Sequence, residues 1–159
     1  LRPLADIERR FDELTGNLVP GTDLSADKSV PGTKFPASTP AELLALGEQV
    51  LEHWVAAKGL EPTSDAREGF RLLALHRQGT TDDPSFNACR ETCRELVYHY
   101  NLLTLDPQHE EAPRRLRMMA LVANHLRLFV VGKLQVAGLG DFCCSSRPAR
   151  EGTARVEQA

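Results

Sequence analysis

Four cysteines hold the most concentrated chemistry in this chain: Cys89 and Cys93, four residues apart, and the adjacent Cys143 and Cys144. A spacing of four puts Cys89 and Cys93 on one face of a helix. If the later pair folds back on them, four sulfurs can converge on a zinc ion or an iron–sulfur cluster, or close into disulfides. Neither pair has the CxxC spacing usual at such metal sites, and adjacent cysteines point their side chains apart. The competing reading makes Cys89 and Cys93 small core residues, because cysteine is among the most buried side chains. Cys143 and Cys144 are then exposed, reactive thiols. Four cysteines in 159 residues are too few for a disulfide scaffold, and the even count leaves the redox compartment open.

Histidine and carboxylate give a second constellation. Glu91, Glu95 and His99 repeat every four residues, and His125 sits in the next apolar segment. Inward carboxylates and imidazoles on facing helices can hold a metal, or line the pocket of a small helical enzyme. Glu91 and Glu95, however, fall opposite the apolar arc of their own helix and read as a solvated face. His125, inside an apolar run, reads as a core histidine bonded to a carbonyl or carboxylate. The chain has no GxSxG, no HExxH, no phosphate-binding glycine loop and no dinucleotide fingerprint. This favours a non-enzymatic role with no bound cofactor.

Charge narrows the partners. The net charge of −3 gives no electrostatic reason to expect nucleic acid. Arg114, Arg115 and Arg117 cluster, but Glu110 and Glu111 precede them and offset the field. The most apolar stretch, residues 118–136, is interrupted by Asn124, His125, Arg127 and Lys133, so a buried helix is expected there and not a membrane span. Leu1 stands where an initiating methionine would, which reads as a processed or excised chain.

The elements that must position these residues are helical. Leu4, Ile7, Phe11 and Leu14 form one stripe of a short helix that Gly16 can end. Residues 17–38, with three prolines and no period, read as an extended arm. Thr39-Pro40-Ala41-Glu42 is a helix start, with Thr39 as cap and Glu42 completing a capping box; Gly59 is the stop. Ser64 or Asp65 opens the next helix, which Gly79 closes. Asp83-Pro84 opens a longer one that ends before Asp106-Pro107, with Phe86, Cys89, Cys93, Leu96, Val97 and Tyr100 on one arc. Tyr98, Leu102 and Leu105 lie outside that arc. The last helix begins near Pro113 and is apolar over most of its circumference, as suits the middle of a bundle. Residues 130–136 read as helix or as a short strand. Beyond residue 144 a solvated tail is expected.

Part of this pattern resembles a tetratricopeptide-type helical hairpin. Gly69-Phe70-Arg71-Leu72-Leu73-Ala74-Leu75-His76-Arg77-Gln78-Gly79 is similar to the first helix of such a repeat. Leu102-Leu103-Thr104-Leu105-Asp106-Pro107-Gln108-His109-Glu110-Glu111-Ala112 is similar to the end of the second helix and its exit turn. The segment from Gly79 to Pro107 is about ten residues longer than the roughly 34-residue repeat allows, and no second copy is clear. The resemblance covers residues 69–112 and implies a scaffold that binds peptides or proteins.

The sequence therefore predicts an all-α chain of about five helices, a four-helix bundle or stacked hairpins with a long N-terminal arm. Its parts are a first helix (residues 1–16), an arm (17–38), a helical domain (39–144) and a tail (145–159). The expected function is a protein–protein interaction or adaptor module that engages a protein partner or self-associates through Tyr98, Leu102 and Leu105. The alternatives are a thiol- or metal-dependent domain, using Cys89, Cys93, Cys143 and Cys144 with zinc or iron–sulfur, and a small helical enzyme built around His99 or His125. Nucleic-acid binding and membrane insertion are not expected.

Overall fold

A computed structural model of the chain describes residues 1–18 and 35–138. Most of the arm and the tail lie outside them. Five α-helices and one 3-10 helix occur in the order α1 (Leu4–Leu18), α2 (Thr39–Ala57), α3 (Arg71–Gly79), η1 (Pro84–Cys89), α4 (Arg90–Leu105) and α5 (Ala112–Ala137). The described residues are all-helical, with no β-strand. None of the helices is long and apolar enough to cross a membrane.

Helix α1 runs through Gly16, where the sequence suggested a stop. The reason is Leu18: it extends the stripe of Ile7, Phe11 and Leu14 by one more turn and is buried. Burying a leucine stabilises by about 1.5–3 kcal/mol, more than the roughly 1 kcal/mol that a helical glycine costs. A Cβ on Gly16 would meet nothing within 4 Å. Gly16→Ala is therefore expected to raise stability by about 0.5–1 kcal/mol, as a higher midpoint in urea denaturation.

Helix α2 starts at Thr39, but by a different device from the one expected. Ser38 holds the cap position and Thr39 is already helical and buried. Glu42 does not reach back to the cap. It is held by Arg10 of α1 through two bonds, Nε to Oε1 at 2.5 Å and Nη2 to Oε2 at 3.1 Å. This fork lowers the Glu42 carboxyl and raises the Arg10 guanidinium from their ordinary values. At its other end α2 stops as expected. Gly59 takes φ +80°, and Leu60 N donates to Val55 O at 3.2 Å, closing a Schellman turn that β-carbon-bearing residues adopt poorly.

The next start is later than the sequence suggested. Residues 64–66 have no regular structure, residues 67–70 form a turn in which Arg67 pairs with Phe70, and α3 begins only at Arg71. Glu68 and Gly69 both have positive φ, 52° and 83°, which a right-handed helix cannot include. Arg71 then ties α3 to α2 through Glu52, and Gln78 ties it to the preceding loop through Glu61 O and Thr63 N. The long helix expected from Asp83-Pro84 is likewise split, into η1 and α4. Residues 130–136 are helix and not strand: Val130 and Leu134, four apart, are both buried, and α5 ends only where Gly138 turns left-handed.

Helices α2 and α5 form the centre. Helix α5 packs on α1, α2 and α4, and α2 packs on all four other α-helices. Helices α1 and α4 do not touch, so they occupy opposite flanks of the central pair. The close approach is at Gly47 of α2, where a Cβ would lie 3.0 Å from Leu96 Cδ2, 3.2 Å from Leu72 Cδ1 and 3.5 Å from Leu126 Cδ2. Helices α3, α4 and α5 thus meet over one glycine. Helix α1 is clamped to α5 by Arg127, which bonds Asp12 at 3.1 Å and lies over the Phe11 ring at 5.7 Å.

Candidate functional site

Two places collect the residues that could act: a buried thiol cluster at the start of α4, and an outward apolar face on α4 and α5.

Cys89 closes η1 and caps α4; Cys93 follows one turn on. Both are free thiols, and they are 1% and 0% exposed. Cys89 Sγ donates to Phe86 O at 3.3 Å. A hydrogen bond from the Cys93 thiol draws Cys89 below the ordinary thiol range, to about 6; burial opposes this and the His76 imidazole assists it. The N-terminus of α4 favours negative charge in the same sense. Cys93 moves the other way and stays protonated well above the usual value. His76 stands beside Cys89, and its Nε2 is buried without a hydrogen-bond partner. Both sulfurs are closed off from solvent among the described residues. Sequence reasoning missed His76; the clue was its place in the helical apolar run from Phe70 to Leu75.

The cluster rests on an aromatic stack. His76 faces Phe86 with centroids 5.8 Å apart, Phe86 lies parallel to Trp54 at 4.9 Å, and Phe129 of α5 closes on Phe86 at 5.6 Å. Trp54 Nε1 donates to Gly79 O at 2.9 Å. Lys58 and Lys133 both lie over the Trp54 ring, at 5.6 and 5.4 Å. Lys133 also meets Asp83 Oδ2 at 3.2 Å and Ser85 Oγ at 2.7 Å. Asp83 falls below its ordinary value, first through Ser85 and then through Lys133. The lysine that interrupts the apolar stretch is therefore an anchor of η1 on α5.

Cys143 and Cys144 lie outside the described residues, so the four-sulfur arrangement cannot be placed. Among the described residues, no three His, Cys, Asp or Glu side chains converge so that they could hold a metal ion. Glu91 and Glu95 are exposed. His99 is half-buried, 3.7 Å from Glu95, with Nδ1 buried and unpartnered. His125 is exposed and not in the core, because its position on α5 falls on the side away from α2. The structure does not bring His99 and His125 into a common pocket. Among the described residues, neither histidine lines the open clefts of 480, 640 and 670 Å³.

The outward face is more extensive than the sequence suggested. Tyr98 and Leu105 are 59% and 86% exposed, and Leu102 is half-buried. Met118, Leu128 and Val136 of α5, a helix expected as a whole in the middle of the bundle, are 42%, 56% and 84% exposed. The direction follows from neighbours on the same helix. Arg127 turns to α1 and Phe129 turns to η1, so Leu128 between them points outward. The signal was in the sequence: an α5 apolar nearly all round has more apolar surface than its neighbours cover.

Comparison with known proteins finds no matching family model, curated protein or solved structure.

Proposed function

We propose that this chain is a helical protein-interaction module that binds through the outer face of α4 and α5. One observation carries the reading. Seven large hydrophobic side chains are exposed among the described residues, and five of them (Tyr98, Leu105, Met118, Leu128 and Val136) lie on these two helices. Scattered exposed apolar residues need no explanation, whereas a cluster on one face is what docking surfaces present. The resemblance of residues 69–112 to a tetratricopeptide-type hairpin supports the same direction.

The test is a triple variant, Tyr98→Ser, Leu102→Ser and Leu105→Ser, compared with the parent chain by crosslinking and light scattering after circular dichroism shows both are folded. Loss of the bound protein, heterologous or a second copy, is the expected result. Unchanged partners and unchanged oligomeric state would overturn the reading.

A second reading, a thiol-dependent domain, draws on the grouping of Cys93 and His76 around Cys89. Counting free thiols and bound metal in protein purified without chelator separates the two. Four free thiols without metal would remove it, and stoichiometric zinc or iron would favour it.

A further inference from the structure

We infer that the occupant of this face is a second copy of the chain, joined by a two-fold axis that lays α5 of each copy along α4 of the other. The inference rests on the interaction reading and names its partner.

The first argument is spacing. Met118, Leu121, His125, Leu128 and Gly132 follow one another at intervals of three, four, three and four on the outer side of α5. That is the seam by which one helix packs along another. Met118 and Leu128 are exposed, Leu121 is half-buried, and a Cβ on Gly132 would meet nothing within 4 Å. The seam is thus open to a helix over five successive positions.

The second argument is charge. Helices α4 and α5 pack together across a six-residue connection, which requires them to run antiparallel. With Leu105 level with Ala112 and about 1.5 Å rise per residue, Tyr98 comes level with Met119, Glu95 with Val122 and Glu91 with Leu126. Arg94 turns to Glu68 ahead of α3, leaving Glu95 on the opposite flank of α4, beside α5, and Glu91 facing outward. Glu91 and Glu95 therefore mark one end of the face, and Arg114 and Arg117 mark the other, with Glu110 and Glu111 beside them in the connection. Among the described residues, Glu91 and Arg117 have no ion pair, Glu95 meets only His99, and Arg114 meets only Glu111, at 3.9 Å.

A two-fold axis near the level of Tyr98 and Leu121 carries Arg114 onto Glu91 of the partner subunit and Arg117 onto Glu95 of the partner subunit. Both pairings require the axis at the same level, close to Ala120. The face is therefore complementary to itself in antiparallel register, with apolar residues at the centre and opposite charges at the ends, each pairing occurring twice. A parallel arrangement would set arginine against arginine.

Sedimentation equilibrium of the full chain should give twice the 17.6 kDa chain mass at high concentration and the single mass on dilution. Reversing one end, with Arg114→Glu and Arg117→Glu, should weaken the dimer at least about tenfold. Adding Glu91→Arg and Glu95→Arg to the same chain should restore it. Glu91, Glu95 and Arg114 are exposed and Arg117 is half-buried, so circular dichroism of both variants checks that the fold is kept. A chain monomeric at every concentration would overturn the inference. So would a dimer indifferent to the reversal and also to Leu128→Glu, because its interface would then lie elsewhere. If the chain is monomeric but the Tyr98, Leu102 and Leu105 variant loses a heterologous partner, the self-association falls and the interaction reading stands.

Discussion

Replacing Trp54 by alanine is expected to remove about 3–5 kcal/mol of folding stability, the largest loss among single truncations in this chain. Trp54 is 2% exposed and stacks on Phe86 with an interplanar angle of 1°. Phe86 in turn touches His76 and Phe129, so one ring of α2 orders α3, η1 and α5. Its loss opens a cavity that those rings cannot fill without breaking their own stack. Gly79 O keeps a donor, since Lys58 Nζ also reaches it at 3.3 Å; the cost is therefore mainly packing and not an orphaned carbonyl. Trp54→Phe keeps most of the stack and is expected to lose only about 1–2 kcal/mol. Trp54 is the sole tryptophan, so circular dichroism in urea is the suitable probe. A loss under about 1 kcal/mol for Trp54→Ala would show that the stack does not organise the core.

Most of the helices could be read from the sequence, because each has a local cause. The apolar stripe of Ile7, Phe11 and Leu14, the glycine after α2 and Asp106-Pro107 after α4 act within a turn or two of chain. What sequence reasoning misplaced depends on partners far along the chain. Glu42 is a good capping residue locally, yet Arg10 claims it across 32 residues. Gly16 is a good stop locally, yet the pocket that receives Leu18 lies on other helices. The start of α3 was misplaced because a non-glycine residue, Glu68, adopts positive φ, which no side-chain pattern announces.

The candidate sites divide in the same way. Burial of Cys89 and Cys93 was legible from the arc they share with Phe86 and Leu96. The place of His76 beside Cys89 was not, since it depends on how α3 packs against η1 and α4. Tyr98 and Leu105 were correctly read as outward because α4 carries a complete apolar arc elsewhere. The outward direction of Met118, Leu128 and Val136 is not legible in the sequence, because α5 is apolar nearly all round and periodicity does not say which side of such a helix lacks a neighbour. Only the packing of α1 and α4 on its two flanks shows which side is open.

Gly79→Ala tests the packing of that core with a single methyl group. Alanine is the better helix former by about 1 kcal/mol in a helix interior and by less at its end, so propensity alone predicts a stable variant. Close contacts reverse the sign. A Cβ here would lie 2.8 Å from Phe86 Cε1, 2.9 Å from Trp54 Cδ1 and 3.1 Å from Phe86 Cδ1. Those atoms belong to two rings in parallel contact, and Trp54 is further held by its bond to Gly79 O, so neither can turn aside. Overpacking of this kind costs about 1–3 kcal/mol, and a net loss of about 2 kcal/mol corresponds to a fall of about 4–8 °C in Tm. Gly47→Ala adds the same methyl group, but its nearest neighbours are the ends of leucine side chains at 3.0 and 3.2 Å, which can yield; its loss should be the smaller. Gly16→Ala, in open solvent, should gain. The three substitutions are chemically identical, so the order Gly16, Gly47, Gly79 from gain to loss measures what surrounds each glycine. A Gly79→Ala variant as stable as the parent would mean that the Trp54–Phe86 stack leaves room beside it, contrary to the contacts described.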